Sequence, residues 1–391
     1  MSRFVVTAYG PTLLVSFGYG AVIPMLVIQA RALGASAALA ALLSALVGVG
    51  MVLGDLPAGW LAAKLGDRKA LIGACIVDAL VIGSATFVHQ LWLFAVIVFV
   101  HGLTGSVFGL ARQSYLTVVV PLRWRSRAMS SLGGVFRIGG FLGPLAGALV
   151  TTHFGLIGVF PLASAMGFAA AIATLLMPDV DNQSATTESG ESLSLWSVLR
   201  AHRHTLLAIG WGMLAVALVR TARQVIIPLW CDGAGVSVAT TNLIYAVSMG
   251  AEVLLFFPAG LLMDRLGRWW AAVPTMIIMA IGFAGLPLTH SAMAIAGLSF
   301  VIGVGNGLSS GIILTLGADA SPVVGRSQFL AGCRIFTDVG TSTGPLLISL
   351  ATAVVALWAA PVALALVGVW GAVQLARHLP MSGQLPMSEP R

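Results

Sequence analysis

Charge is what this chain has least of. Only 8% of its 391 residues are Asp, Glu, Lys or Arg, against roughly 25% in soluble globular proteins. Such a supply cannot cover a water-facing surface, so a soluble globular domain is excluded. Lysine is nearly absent, with Lys64 and Lys69 alone; the preference for Arg, with much Ala and Gly, suggests a high-GC bacterial genome. The three cysteines, Cys75, Cys231 and Cys333, are far apart and lack metal-ligand spacing, so they read as core or lipid-facing thiols. The seven histidines are scattered. No G-x-S-x-G, H-E-x-x-H or G-x-x-x-x-G-K occurs, which argues against a membrane-embedded enzyme. No large extramembrane segment exists to favour a sensor or scaffold. Neither a metal nor a cofactor is expected. The start, MSRF, enters an apolar run without an A-x-A cleavage pattern, so the first helix is expected to be retained.

What the chain does have is apolar length. It is 58% hydrophobic with mean hydropathy +1.00. Its runs reach about 20 residues or more, enough to cross a ~30 Å hydrocarbon layer. Twelve spans are expected, near 6–29, 37–63, 70–88, 91–119, 127–151, 155–177, 205–230, 238–262, 271–288, 291–316, 327–352 and 354–376. The net charge of +7 forms no single stripe, which argues against nucleic acid. Instead, Lys64, Arg68, Lys69, Arg123, Arg125, Arg127, Arg200, Arg203, Arg265, Arg268 and Arg326 fall in one set of loops. The opposite loops contain little beyond Arg31. The positive-inside rule puts the rich set, and both termini, in the cytoplasm. The expected surroundings are the lipid of an inner or plasma membrane.

Residues 178–204 are the one long polar interval. They read as a cytoplasmic linker between halves 1–177 and 205–391, with a short interfacial helix around Leu195, Trp196 and Leu199. The halves repeat. A shift of 201 residues aligns Pro57 with Pro258, Gly59 with Gly260, Lys64 with Arg265 and Gly66 with Gly267. It also aligns Arg125 with Arg326, Gly139 with Gly340, and Gly143-Pro144 with Gly344-Pro345. Ile23-Pro24 matches Ile227-Pro228 only after a three-residue adjustment. An even number of spans per half makes the repeat parallel.

The loop GLLMDRLGRW, with Gly260, Asp264, Arg265, Gly267 and Arg268, resembles the signature between the second and third helices of major facilitator superfamily transporters. Its first-half copy keeps Gly59, Lys64, Gly66 and Arg68 but has Ala63 at the carboxylate position. In the family pattern a second Asp at the end of helix 4 supports the loop. The second half has Asp319 there and the first half Val118. Gly139, Gly143, Pro144 and Gly147 resemble the fifth-helix antiporter motif. The helix-4 Arg of drug–proton antiporters is missing, with Val98 at its position and His101-Gly102 in place of Gln-Gly. The resemblance spans essentially the whole chain. It implies an all-α fold of twelve transmembrane helices in two six-helix halves, and alternating-access transport of small organic molecules. A proton-coupled exporter is the expected function, acting as a monomer. The alternatives are an uptake symporter or facilitator, possibly for an anionic metabolite, and more remotely a sensor or scaffold.

Charges inside a membrane are costly and normally paired or functional. Glu252 lies 12 residues before Asp264 and Arg137 lies 12 beyond Arg125, roughly 18 Å into the bilayer. Asp55 and Arg334 also match in depth. With the helix neighbours that the resemblance implies, Arg137–Glu252 and Asp55–Arg334 become candidate inter-domain gating pairs. The alternative is pairing within each half. Glu252, then Asp55, and also Asp338 are candidates for proton coupling. Arg220, Arg223, Gln224, Asn306 and Arg112 are candidates for the substrate cavity. Asp78 and Arg112, at similar depth on the third and fourth spans, are expected to pair.

Overall fold

A computed structural model of the chain describes residues 2–120, 122–177, 195–322 and 325–379. Among the described residues the structure is all helical, without strands. The helices are α1 (Ser2–Ala32), α2 (Ala37–Leu65), α3 (Asp67–Ser84), α4 (Leu91–Val119), α5 (Leu122–Phe154), α6 (Val159–Leu175) and α7 (Leu195–Ala201). They continue with α8 (Arg203–Gly233), α9 (Val238–Leu266), α10 (Trp269–Gly285), α11 (Ala292–Leu308), α12 (Ile312–Ala320), α13 (Arg326–Val354) and α14 (Ala359–His378).

Eleven segments, with α11 and α12 taken together, are long and apolar enough to cross a membrane. The twelfth expected span is α13. Its 29 residues reach about 43 Å at ~1.5 Å each, but Arg326, Arg334 and Asp338 dilute its apolarity. Large apolar side chains such as Leu80, Phe87, Trp92, Leu254 and Phe257 are exposed, as lipid-facing groups must be. One expected span is corrected. The run 291–316 is not a single helix, because α11 stops at Leu308 and Gly311 turns the backbone left-handed at φ 83° before α12 begins.

The residues group into two compact units, 1–187 with 227–249, and 188–226 with 250–391. In the first, α1 packs on α5 and α6, α2 on α4, and α3 on α4 and α6. In the second, α10 packs on α11 and α14, and α7 on the start of α13. Leu199 of the short α7 reaches Gly332 there, and His202 meets the Phe329 ring edge-on at 6.2 Å.

The repeat seen in sequence is also a repeat of contacts. A methyl group added to Gly139 or Gly143 of α5 would strike Leu13, Phe17 and Ala21 of α1. One added to Gly340 or Gly344 of α13 would strike Leu214, Leu218 and Ala222 of α8. Each residue of the second set lies 201 positions after its counterpart. Gly167 on Ala79 likewise recurs as Gly368 on Ala280. Small residues let these backbones approach closely. The α1–α8 equivalence therefore holds at 201, and the proline match is displaced by almost one turn. Two of the matched glycine pairs, Gly34 with Gly235 and Gly66 with Gly267, all have φ between 72° and 95°. Glycine adopts that conformation without a Cβ penalty.

Candidate functional site

In the second unit the apolar interior is interrupted at one level by Glu252 of α9, Arg223 of α8 and Asn306 of α11. Glu252 and Arg223 are 4% and 3% exposed. Arg223 Nη2 donates to Glu252 Oε2 at 3.1 Å, and Asn306 Nδ2 donates to the same oxygen at 2.5 Å. Asn306 Oδ1 has no donor among the described residues. The neighbouring Gly307 lets α11 close on α9, since a Cβ there would lie 3.1 Å from the Glu252 Cα. Three residues further on, the Ser309–Gly311 break ends α11. At the break the Asn306, Gly307 and Ser309 carbonyls accept from Ser309 Oγ, Ser310 N and Ile312 N, so the interruption is buried and bonded. Arg220 and Gln224 are half-buried on the same α8.

The internal repeat supplies a control for this cluster. Subtracting 201 from Arg223, Glu252 and Asn306 gives Val22, Met51 and Gly105. The first half has no charge at these three positions: Val22 is fully buried, Gly105 is half-buried and Met51 is 37% exposed. The repeat itself therefore does not call for the ion pair, whose burial costs several kcal/mol per ion before pairing offsets it.

For the other expected charges, the bonds described lie within a unit. Arg334 Nε and Asp338 Oδ2 are 3.6 Å apart one turn along α13. Asp55 accepts from Ser106 at 2.5 Å, and Arg137 Nη1 donates to the Gly133 carbonyl at 3.4 Å. The expected Asp78–Arg112 pair is corrected. Asp78 bonds His101 and Thr104, whereas the Arg112 guanidinium lies over the Phe108 and Phe136 rings at 5.5 and 5.8 Å. Its Nε and Nη1 are buried without a hydrogen-bond partner among the described residues.

The two loop copies use one repeat position in opposite ways. Arg268 bonds Asp319 at 2.9 Å and Asp264 at 3.6 Å. At the equivalent position Asp67, 5% exposed, accepts instead from Ser114 of α4 at 2.8 Å. Arg68 turns to the end of α6, donating to the Leu175 carbonyl at 2.5 Å. The position that carries the basic residue in the second half thus carries an acid bonded to a hydroxyl in the first. Asp67→Val is expected to cost about 1–3 kcal/mol by removing a buried acceptor from the Ser114 hydroxyl. Asp264→Asn, at a side chain 75% exposed, should cost no more than about 0.5 kcal/mol. Denaturant unfolding in detergent measures both.

Sequence reasoning missed one bond between repeat-equivalent positions. Arg31 at the end of α1 pairs with Asp232 at the end of α8 at 2.9 Å, 201 residues apart. The opposite-charge match under the shift was its available signal.

The sequence matches the Major Facilitator Superfamily model over residues 12–345. It is 27% identical over 254 residues to an uncharacterized MFS-type transporter, YcaD, of Escherichia fergusonii, covering 65% of this chain and 64% of the relative. Aligned similarity thus spans just under two thirds of that relative's length. Among solved structures, the nucleoside transporter NupG matches with TM-score 0.73 at 15% identity, covering 95% of this chain and 98% of that one. A bacterial homologue of the human lysosomal transporter Spinster matches with TM-score 0.76 at 14% identity, covering 96% of both chains. A D-xylose–proton symporter matches with TM-score 0.73 at 14% identity, covering 97% and 99%. These likenesses carry the fold, and the family match over most of the chain, with its membrane-length helices, gives the class: this multi-pass membrane protein belongs to the Major Facilitator Superfamily.

Proposed function

We infer that the chain is a proton-coupled exporter of small organic molecules that works by alternating access. The observation that carries this reading is Glu252, a carboxylate buried among apolar helices and held by Arg223 and Asn306. A proton and Arg223 compete for one charge. When Glu252 is protonated its attraction for Arg223 falls, and the guanidinium becomes available to an anionic or acceptor group of the substrate. When the substrate leaves, Arg223 reclaims the carboxylate and the proton is released. Such competition is the physical core of antiport, because one site responds to two ligands. The Gly143-Pro144 resemblance supports export over uptake.

In this reading the halves 1–177 and 205–391 rock about the cytoplasmic linker 178–204, most of which, 178–194, lies outside the described residues. Both termini are cytoplasmic, the location is the bacterial inner membrane, and a monomer suffices. Asp55, Asp338, Arg137 and Arg334 serve as charges whose partners change during the cycle. The Arg31–Asp232 bond suits a reversible latch, since half-exposed pairs are worth about 1 kcal/mol or less.

A second reading, uptake of an anionic metabolite, is favoured by Arg112, a half-buried cation that lies over the Phe108 and Phe136 rings. Cellular accumulation separates the two. Cells expressing the chain should retain less of a transported compound than cells expressing Glu252→Gln, and a protonophore should erase the difference. Accumulation that rises with expression would favour uptake.

A further inference from the structure

The first unit has a polar cluster of its own, at positions where the second unit has none. Asp78 of α3 is bonded by His101 Nδ1 at 2.7 Å and by Thr104 Oγ1 at 2.6 Å, both on α4. Tyr19 of α1 stacks on the imidazole with ring centroids 5.1 Å apart. His101 is 3% exposed, and its Nε2 is buried with no partner among the described residues. All of these side chains line a cavity of about 30 Å³, room for one or two waters.

The tautomer follows from the bonding. A carboxylate only accepts, so His101 Nδ1 must carry the proton that reaches Asp78. A neutral ring then has an unshared pair on Nε2 and nothing donating to it. Buried acceptors are normally satisfied. A ring that gained a proton there would become an imidazolium directly paired with Asp78. The pair would pass from one net negative charge to none.

The repeat again tells packing from function. The positions 201 residues after Asp78, His101 and Thr104 are Met279, Ile302 and Gly305. Met279 and Ile302 are fully buried. The same helix contact therefore closes without an ionisable side chain, with the Thr275 hydroxyl donating to the Gly305 carbonyl at 3.0 Å. The cavity wall also includes Val22 and Gly105, the equivalents of Arg223 and Asn306. The repeat positions that carry Arg223 and Asn306 in the second half thus border the Asp78–His101 cluster in the first.

We propose that the Asp78–His101 pair is a second proton-binding site, loaded at His101 Nε2 from water in this cavity. Its surroundings contribute few other charges. Tyr19 faces it from α1 and Cys75 from α3, while α6 presents Ala163 and Gly167. Asp55 of α2 bonds Ser106, five residues along α4, and Tyr245 lies near enough to Tyr19 to interact electrostatically. The site exists independently of proton-coupled export and rests on that reading only for its use. There it gives the transporter two protonatable clusters.

The test is nitrogen NMR of the full chain in lipid nanodiscs, with labelled histidine, as pH falls from about 8 to about 5, the range in which imidazole changes charge. One ring, missing from the His101→Gln spectrum, should begin as the Nδ1–H tautomer and become doubly protonated. In Asp78→Asn the same ring should stay neutral. The double variant Asp78→Met/His101→Ile copies the second half and should fold while taking up one proton fewer per molecule. A His101 ring that keeps one state throughout, or that titrates identically in Asp78→Asn, overturns the proposal. Gradient-driven transport without this titration would retire the site alone. Titration without gradient-driven transport would retire the coupling and leave the site.

Discussion

Arg223→Val is expected to destabilise the protein by about 3–5 kcal/mol, the cost of breaking a buried ion pair from one side. Glu252 is 4% exposed, so water cannot replace the guanidinium. The loss should be visible as lower thermal and denaturant stability in detergent. Adding Glu252→Met should restore most of it. That double variant installs Val and Met, the residues that the first half carries at positions 22 and 51, and puts an apolar side chain where the pair was buried. Removing a buried pair together is often neutral or stabilising. If the double variant is no more stable than the single, the ion pair is structural and the repeat is a poor control. If it is stable and transport is lost, the charges are there for function.

Gly143→Val should be worse still for folding. The first added carbon would fall on the Phe17 carbonyl oxygen, with the Ala21 nitrogen and Gly20 carbon also too close. Backbone cannot swing aside as a side chain can. Overpacking typically costs about 1–3 kcal/mol, and a backbone obstacle places this case at the upper end or beyond. Gly344→Val, the repeat equivalent, should behave in the same way against Leu218 and Ala222. Gly59→Ala and Gly260→Ala make the contrast. A Cβ at either meets nothing within 4 Å, and both lie inside helices. Each should stabilise by about 0.5–1 kcal/mol through helix propensity. Yield of folded, monodisperse protein reports the first pair, and unfolding in denaturant the second. Equal effects at all four glycines would contradict the packing account.

Periodicity and charge spacing were enough to read the membrane class and the two-fold repeat, because both are written in residue types. A glycine needed for a left-handed turn or a close helix crossing has no substitute. Gly66, Gly267, Gly143 and Gly344 therefore announce themselves. Facing directions are different. Arg220 and Arg223 share a face of α8, and nothing in sequence says which of them meets Glu252. Asp78 has two basic side chains to choose from on the next membrane helix. Charge alone favours Arg112, but that residue lies three turns further along α4 than His101. The aromatic rings of Phe108 and Phe136 take the Arg instead. The break at Gly311 was readable as Ser309-Ser310-Gly311 within an apolar run, yet hydropathy averages such a triplet away. The comparison most useful for function was also in the sequence. Once each buried charge is set against its counterpart 201 residues away, the polar clusters stand out from the scaffold.

The central claim is that substrate movement is tied to proton movement at Glu252. Proteoliposomes with an imposed pH gradient and a chemically varied panel of substrates test it most directly. The wild-type chain should drive at least one compound against its concentration when protons run the opposite way. Glu252→Gln should lose that accumulation but keep exchange of the same compound across the membrane without a gradient. Transport that ignores the gradient, or gradient-driven accumulation that survives Glu252→Gln, would contradict the account.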